Sequence, residues 1–464
     1  MGNTKQWSRR DMLRASGMLA FSAAMTSELF GYTMETRVLK SSPDPRHVSI
    51  NQPVRFVIIG YGSRGSLYAS YSEKHPSEMK VVGVADIREI RRENARKKYG
   101  IDKKYVFSSW EEVFKVPRFA DVIVVATPDN LHYGPAMKAL EMGYDVLLEK
   151  PIAQTWQECN GILQQARKYN RIVGVCHVLR YTPYFRKLKE VCESGMLGEI
   201  VSMQHLEPIE HIHMSHSFVR GNWHNSKETV PILLAKSCHD LDLIRWLVGK
   251  PCRKVSSFGT LKWFREENAP AGSTDRCVNG CKAESNCPYS ALKIYYRDRT
   301  WLHHFDFPEG QNQGEVIMKY LKESNYGRCV YRMDNDQCDH QVVSMLMEGN
   351  VTVNFSMEAF TYEGGRKTRI MGSMGEAYGD EKELYLADFR QKKLEKWVTA
   401  EHAEDLSGHG GGDMVLVKDF IQAVYQHKPE LLTSTLEASM ESHLIGFKAE
   451  ESRHTGNIVD VPSL

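Results

Sequence analysis

The chain has 464 residues, more than one ordinary core accommodates, so two domains are expected. Its 42% hydrophobic and 25% charged content is that of a soluble globular protein, and its formal net charge of +2 gives no footprint for a nucleic acid or an anionic membrane as partner. No apolar run reaches the roughly 20 residues that a spanning helix needs, and no internal repeat or low-complexity tract stands out.

The first 34 residues read as a targeting segment and are set aside from the fold. Ser8-Arg9-Arg10-Asp11-Met12-Leu13-Arg14 resembles a twin-arginine export signal, followed by a moderately apolar stretch and the small residues Ser22, Ala23 and Ala24. Export, to the periplasm or beyond, is the expectation. Residues 35–53, rich in Ser and Pro, read as a linker.

From Val54 the pattern changes. Val54–Ile59 is a short apolar run suited to a strand buried on both faces. Gly60, Gly62 and Gly65 follow as G-x-G-x-x-G, with Ser63 and Arg64 inside the turn. The first glycine permits the tight turn, the second lets the backbone approach a pyrophosphate, and the third lets helix and strand pack closely. A second strand, Val81–Ala85, ends at Asp86, twenty-one residues after Gly65. An acid there accepts from a ribose 2′-hydroxyl, which argues for NAD, whereas the neighbouring Arg88 and Arg91 leave NADP open. A buried strand over 121–126 runs into Thr127-Pro128-Asp129-Asn130-Leu131-His132. Another, Tyr144–Leu148, runs into Glu149-Lys150-Pro151. Both exits lie at the carboxyl edge of a parallel sheet, where ligands bind. The cofactor-binding set is therefore Gly60, Gly62, Ser63, Arg64, Gly65, Asp86, Arg88, Thr127, Pro128, Asn130, His132, Glu149 and Lys150.

This fingerprint, with "ATPDNLH", "EKP", "HVLRYTPYFRKLKE", "SGMLGEI" and "CHDLDLIRWLVG" in order, resembles the Gfo/Idh/MocA oxidoreductases from about residue 54 to the C-terminus. The resemblance implies an N-terminal Rossmann domain (54–151) and a C-terminal α/β domain with a large open, mostly antiparallel sheet (152–434). A last helix and tail (435–464) would pack back on the Rossmann domain. It implies a carbohydrate substrate bound between the domains, and a homo-oligomer. Lys150 matches the lysine of the E-K-P motif and His239 the histidine read as acid/base. Hydride transfer from a carbinol needs a base for the hydroxyl proton and a cation for the developing alkoxide, roles these two can divide. The chain departs from the family at Ala235, where an aspartate is common. Lys236 follows it and is a further catalytic candidate that would enter the site, and Asp242, one helical turn after His239, is a candidate to orient the imidazole.

In the second domain, residues 207–225 hold His211, His213, His216 and His224 with Arg220, Asn222 and Trp223. The resemblance implies that they would lie over the nicotinamide, and they read as a substrate loop, with a histidine metal site or a plain surface loop as alternatives. The substrate set is Arg180, His216, Arg220, Asn222, Trp223 and His239. Cys277-x3-Cys281-x5-Cys287 leaves structural zinc, a disulfide and free thiols open. Met345, Met347, Val351, Val353, Phe355 and Met357 alternate as sheet residues. "GHGGGD" (408–413) reads as a flexible loop before a helix over 414–425.

An exported protein meets no free dinucleotide pool, so its cofactor must be held tightly and recycled in each turnover. Three functions follow in order of preference: an NAD(P)-dependent sugar oxidoreductase; a glycoside hydrolase that oxidises its substrate transiently and eliminates the aglycone, like the NAD-dependent α-N-acetylgalactosaminidases; and a non-catalytic sugar-binding protein. Against the second, the Tyr-Pro-Thr-His-Gly stretch associated with those hydrolases is replaced by "VPILLAKSCHDLD".

Overall fold

The computed structural model describes residues 33–36, as backbone, and residues 46–403 and 405–464. The twin-arginine-like motif and residues 37–45 of the linker lie outside the described residues.

Beyond a short strand β1 (Thr33–Thr36), which joins the second sheet, the first domain is built on β2 (Val54–Ile59), β3 (Met79–Ala85), β4 (Val106–Phe107), β5 (Val122–Val125), β6 (Asp145–Leu148) and β7 (Val173–Val175). These six strands are all parallel, in the order β4-β3-β2-β5-β6-β7. β5 and β6 are buried at every position, as strands covered by helices on both faces must be. Register decides where the site lies. Ile59 pairs with Ala85 and Val125, Val125 with Leu148, and Leu148 with Val175. Gly60, Asp86, Ala126, Glu149 and Cys176 therefore leave the sheet as one row.

The expected Rossmann boundary at 151 falls short, because β7 adds a sixth strand beyond it. The helix Gly412–Gln426, assigned by sequence to the second domain, covers one face of this sheet: Leu416, Val417, Phe420 and Ile421 pack with Val54, Phe56 and Ile58.

The second domain has β8 (Ile200–Pro208), β9 (Cys252–Thr260), β10 (His340–Met347), β11 (Thr352–Glu358), β12 (Lys367–Gly372), β13 (Gly375–Gly379), β14 (Glu383–Asp388), β15 (Lys393–Val398) and β16 (Val459–Asp460). With β1 they form one sheet, ordered β1-β15-β14-β13-β12-β8-β11-β10-β9-β16. Its pairings are antiparallel except β1 with β15 and β11 with β8. The expected alternation resolves as the β10–β11 hairpin, with Met345, Met347, Val353, Phe355 and Met357 buried.

Between β9 and β10, which pair directly from Thr260 and His340 onward, the chain makes a long excursion over 261–339. It has a small core of its own in Ile294, Tyr295, Phe305, Ile317 and Leu321. The helix Leu436–Thr455 packs on both domains: Leu436 and Met440 enter the Rossmann core, and Leu444, Ile445 and Ala449 enter the sheet-domain core. The tail beyond it returns to the second sheet as β16 rather than to the Rossmann domain.

Candidate active site

The glycine turn has the geometry a dinucleotide requires. Gly60 has φ +89°, and a Cβ there would lie 2.5 Å from the Ala126 carbonyl oxygen. A Cβ on Gly65 would lie 1.9 Å from the Gly60 oxygen, so helix and strand touch through backbone. At Gly62 the space is open apart from Arg91 Nη1 at 3.2 Å, and the helix that begins at Ser63 has no side-chain cap on its first amides. Asp86 sits beside this turn, its carboxylate accepting from the backbone N–H of Tyr61 and of Arg88, each at 2.8 Å. Each oxygen keeps lone-pair capacity for a ribose hydroxyl. The residues present fit a nicotinamide dinucleotide.

Several expected cofactor ligands also brace the protein. Arg64 turns away from the turn into a buried acid cluster, donating to Glu149 Oε1 at 2.6 Å, to Asp413 Oδ1 at 2.5 Å and to the Tyr68 hydroxyl. Glu149 also accepts from Tyr68 at 2.6 Å and from the Lys150 N–H at 2.9 Å. Burial alone would raise its pKa, yet the Arg64 and Lys150 cations hold it below the ordinary carboxylate value. His132 spans two loops, with one ring nitrogen on the Pro151 carbonyl at 2.7 Å and the other on the Thr127 carbonyl at 3.0 Å. The Thr127 hydroxyl donates to the Leu131 carbonyl, while Ser63, Pro128 and Asn130 are exposed at the rim. The Arg88 guanidinium pairs with Asp306.

Lys150 and His239 meet at the domain junction. The Lys150 ammonium donates to the Ala235 carbonyl oxygen at 2.6 Å, so backbone at the position of the family's usual aspartate receives it. His239 is 3% exposed and its Nδ1 has no partner. Burial and then the Lys150 charge drive its pKa well below the usual histidine value, so the ring is neutral. Lys236 lies 3.3 Å from Glu207 Oε1, whose other oxygen pairs with Arg366 at 2.7 Å. Arg366 also reaches Asp240 at 2.6 Å, and Asp240 receives His205 Nε2 at 3.0 Å. Burial would raise Asp240, but Arg366 and His205 override it and hold the carboxyl at about 2.

The expectation that Asp242 orients His239 does not hold. Both its oxygens are taken at 2.6 Å by Arg180, whose third donor goes to the Thr433 carbonyl, so Arg180 is a buried strut rather than a substrate reader. Arg220 is likewise structural, donating to the carbonyls of Arg328 and Tyr289 at 2.8 Å and lying 3.9 Å from Cys277 Sγ. His216 is fully buried in the 261–339 excursion, with Nδ1 on the Tyr295 hydroxyl at 2.8 Å and its ring stacked on His304 and Tyr326. The Trp223 indole N–H donates to both oxygens of Asp129, at 3.0 and 2.9 Å, which ties the second domain to the "TPDN" loop. Asn222 is exposed. Cys277, Cys281 and Cys287 are free thiols, and no metal-binding group of three or more His, Cys, Asp or Glu occurs among the described residues. The zinc alternative therefore has no ligand set among the described residues.

Three site residues escaped the sequence reading. His177 is 1% exposed, both ring nitrogens lack partners, and its ring lies 5.8 Å from His239 and 5.5 Å from His443. It follows β7 as Lys150 follows β6, so the same carboxyl-edge rule would have found it. His409 enters from the glycine loop: its ring lies 5.8 Å from His239 and its Nδ1 is 3.2 Å from Asp413 Oδ2. Gly408, Gly410 and Gly411 all have positive φ there, a path no other residue type follows cheaply. Asp129 is 3% exposed and burial raises its pKa.

Two family models match in tandem. Residues 54–177 match the oxidoreductase family's NAD-binding Rossmann fold, and residues 189–461 its C-terminal alpha/beta domain. The chain is 25% identical over 365 residues to the Bacillus subtilis protein YteT, covering 75% of this chain and 83% of that one. It is 24% identical over 231 residues to the myo-inositol 2-dehydrogenase of Thermotoga maritima, covering 48% and 64%. An inositol dehydrogenase homologue from Azotobacter vinelandii, solved with NAD+, superposes with a TM-score of 0.65 at 16% identity, over 90% of this chain and 100% of that one. The chain belongs to the Gfo/Idh/MocA oxidoreductase family.

Proposed function

We propose that this chain transfers a hydride between a nicotinamide cofactor and a ring carbon bearing a hydroxyl in a sugar or cyclic polyol. The observation that carries the reading is the pairing of Lys150 with a neutral, partly unpaired His239 at the carboxyl edge of the parallel sheet. When bound, the nicotinamide supplies the hydride acceptor or donor. His239 in its neutral form accepts the hydroxyl proton during oxidation. The Lys150 ammonium stabilises the oxyanion that develops, a term worth several kcal/mol in a site shielded from water. Glu149, Arg64 and Tyr68 lock the loop from which Lys150 projects. Lys236, held by Glu207, sets a second cation near the same space.

The test is a panel of free sugars, inositols and nitrophenyl glycosides, with nicotinamide absorbance and aglycone release followed together. Cofactor reduction by a free polyol, lost in Lys150→Ala with the cofactor still bound, supports the reading. Aglycone release over many turnovers without net change at the nicotinamide band replaces it with cleavage by transient oxidation. Turnover near the wild-type rate in Lys150→Ala refutes the role of that lysine.

The reading extends to export with the cofactor aboard, on the strength of the twin-arginine-like motif, and fractionation of the native host tests it. It extends also to a homo-oligomer. The exposed Phe258 and Val342, directly opposite on β9 and β10, put an apolar pair on the outer face of the open sheet.

A further inference from the structure

Arg88 and Arg91 stand where a dinucleotide fold tells NAD from NADP. Arg88 is two residues beyond the ribose-facing Asp86, and Arg91 is one turn further, its Nη1 against the open face of Gly62. Arginines at this place ordinarily receive a 2′-phosphate, whereas the acid ordinarily receives a 2′-hydroxyl. The sequence thus carries both signals. The structure adds a residue from more than two hundred positions away. Asp306, on the 261–339 excursion of the second domain, pairs through one oxygen with the Arg88 guanidinium and through the other with Arg91 Nε at 2.9 Å.

We propose that Asp306 is a specificity-determining residue that commits this site to NAD by occupying the two arginines that would otherwise bind the 2′-phosphate of NADP. The inference deepens the dinucleotide reading of the first domain and rests on it. Asp306 is held in place: its N–H donates to the Tyr320 hydroxyl at 3.1 Å, and the preceding Phe305 stacks on the Tyr320 ring at 4.4 Å, nearly parallel. The two carboxylates, Asp86 and Asp306, balance the charges of Arg88 and Arg91, and the third arginine of the run, Arg92, donates to the Asp86 backbone carbonyl at 2.7 Å. A 2′-phosphate would have to break both pairs to Asp306 and then sit as a dianion beside two carboxylates. A 2′-hydroxyl asks only for an acceptor, which Asp86 supplies without disturbing either pair.

The experiment measures NADH and NADPH affinities by nicotinamide fluorescence on protein freed of endogenous cofactor, for wild type, Asp306→Asn, Asp306→Glu and Arg88→Ala/Arg91→Ala. The wild type is expected to bind NADH at least about tenfold more tightly than NADPH. Asp306→Asn should narrow that ratio by about tenfold, chiefly through tighter NADPH binding, and adding Arg88→Ala/Arg91→Ala should cancel the gain. Asp306→Glu, which keeps the charge, should stay close to wild type. The arginine pair changed alone should alter NADPH affinity by less than about threefold, because Asp306 already occupies it. This last variant decides the matter even if Asp306→Asn fails to fold. An unchanged ratio in Asp306→Asn, equal affinities in the wild type, or a large NADPH loss in the arginine pair alone would overturn the proposal. Absence of binding to either cofactor would instead remove the dinucleotide reading itself.

Discussion

Three buried histidines, His177, His239 and His443, should make the fold acid-labile well above the carboxylate range. Each is at most 3% exposed, and in each burial is the leading cause of a lowered pKa. His443 shows why at atomic level. Its Nε2 accepts from the Ile152 N–H at 3.0 Å and its Nδ1 donates to the Ser439 carbonyl at 2.9 Å, so a second ring proton would face a donor. It stays neutral down to about 3. Unfolding releases all three rings to the ordinary histidine value, so the unfolded state binds more protons and stability falls as pH falls through about 6.5. Between about pH 7.5 and 5.5 each ring costs about 1.4 kcal/mol, or about 4 kcal/mol for the three. That is a large part of the roughly 5–15 kcal/mol by which a domain is stable. Urea titrations across this interval, with proton uptake on unfolding followed potentiometrically, give the slope directly. His443→Gln should remove one proton from the uptake and reduce the slope by about 1.4 kcal/mol per pH unit on its acid side. A midpoint that does not move between the two pH values, or a slope indifferent to His443→Gln, would refute the assignment of these rings as neutral.

Two further outcomes follow from the glycine turn and the acid cluster. Gly65→Ala should abolish NADH binding because its Cβ collides with backbone, whereas Gly62→Ala should keep wild-type thermal stability and lose affinity only, since Arg91 alone borders its Cβ; equilibrium titration beside a melting curve separates the two. Glu149→Gln should destabilise the fold by about 3 kcal/mol, read from urea unfolding at neutral pH, because Arg64 loses one of its two buried carboxylates.

What was legible in the sequence is what local pattern encodes. The strands at 54–59 and 81–85, the second beginning two residues earlier in the structure, the three glycines and the placement of Asp86 and Lys150 follow from apolar runs that end at turn residues. The register of a parallel sheet then brings those ends together. The alternation over 345–357 marked sheet residues for the same reason, and the structure pairs them as a hairpin. Polar partners were not legible. Asp306 meets Arg88, Asp413 meets Arg64 and Trp223 meets Asp129 across 94 to 349 positions of chain. Nothing in the spacing of a charge tells whether it will face a ligand or another charge. The polar loop at 207–225 misled for this reason: Arg220, Trp223 and His216 have groups suited to a sugar, yet each is tied to the protein by at least one hydrogen bond.

That pattern of expenditure bears on the proposed reacting centre. At the junction nearly every buried carboxylate is matched: Glu149 and Asp413 by Arg64, Asp242 by Arg180, Asp240 by Arg366, and Glu207 by Lys236 and Arg366. Asp129, whose charge burial disfavours, holds an indole N–H instead. A folded chain leaves buried polar atoms unpaired only rarely, because each costs about 1–3 kcal/mol. Here His239 Nδ1 and both nitrogens of His177 remain unpaired, and the Lys150 ammonium beside them has a neutral carbonyl as its hydrogen-bond partner. An ammonium next to neutral imidazoles, with every surrounding acid but Asp129 already bound to another cation, is an environment that welcomes a hydroxyl about to lose its proton. Matching the other charges among themselves keeps them from competing for that proton, and this separation of paired from unpaired groups supports the roles proposed for Lys150 and His239, with His177 beside them.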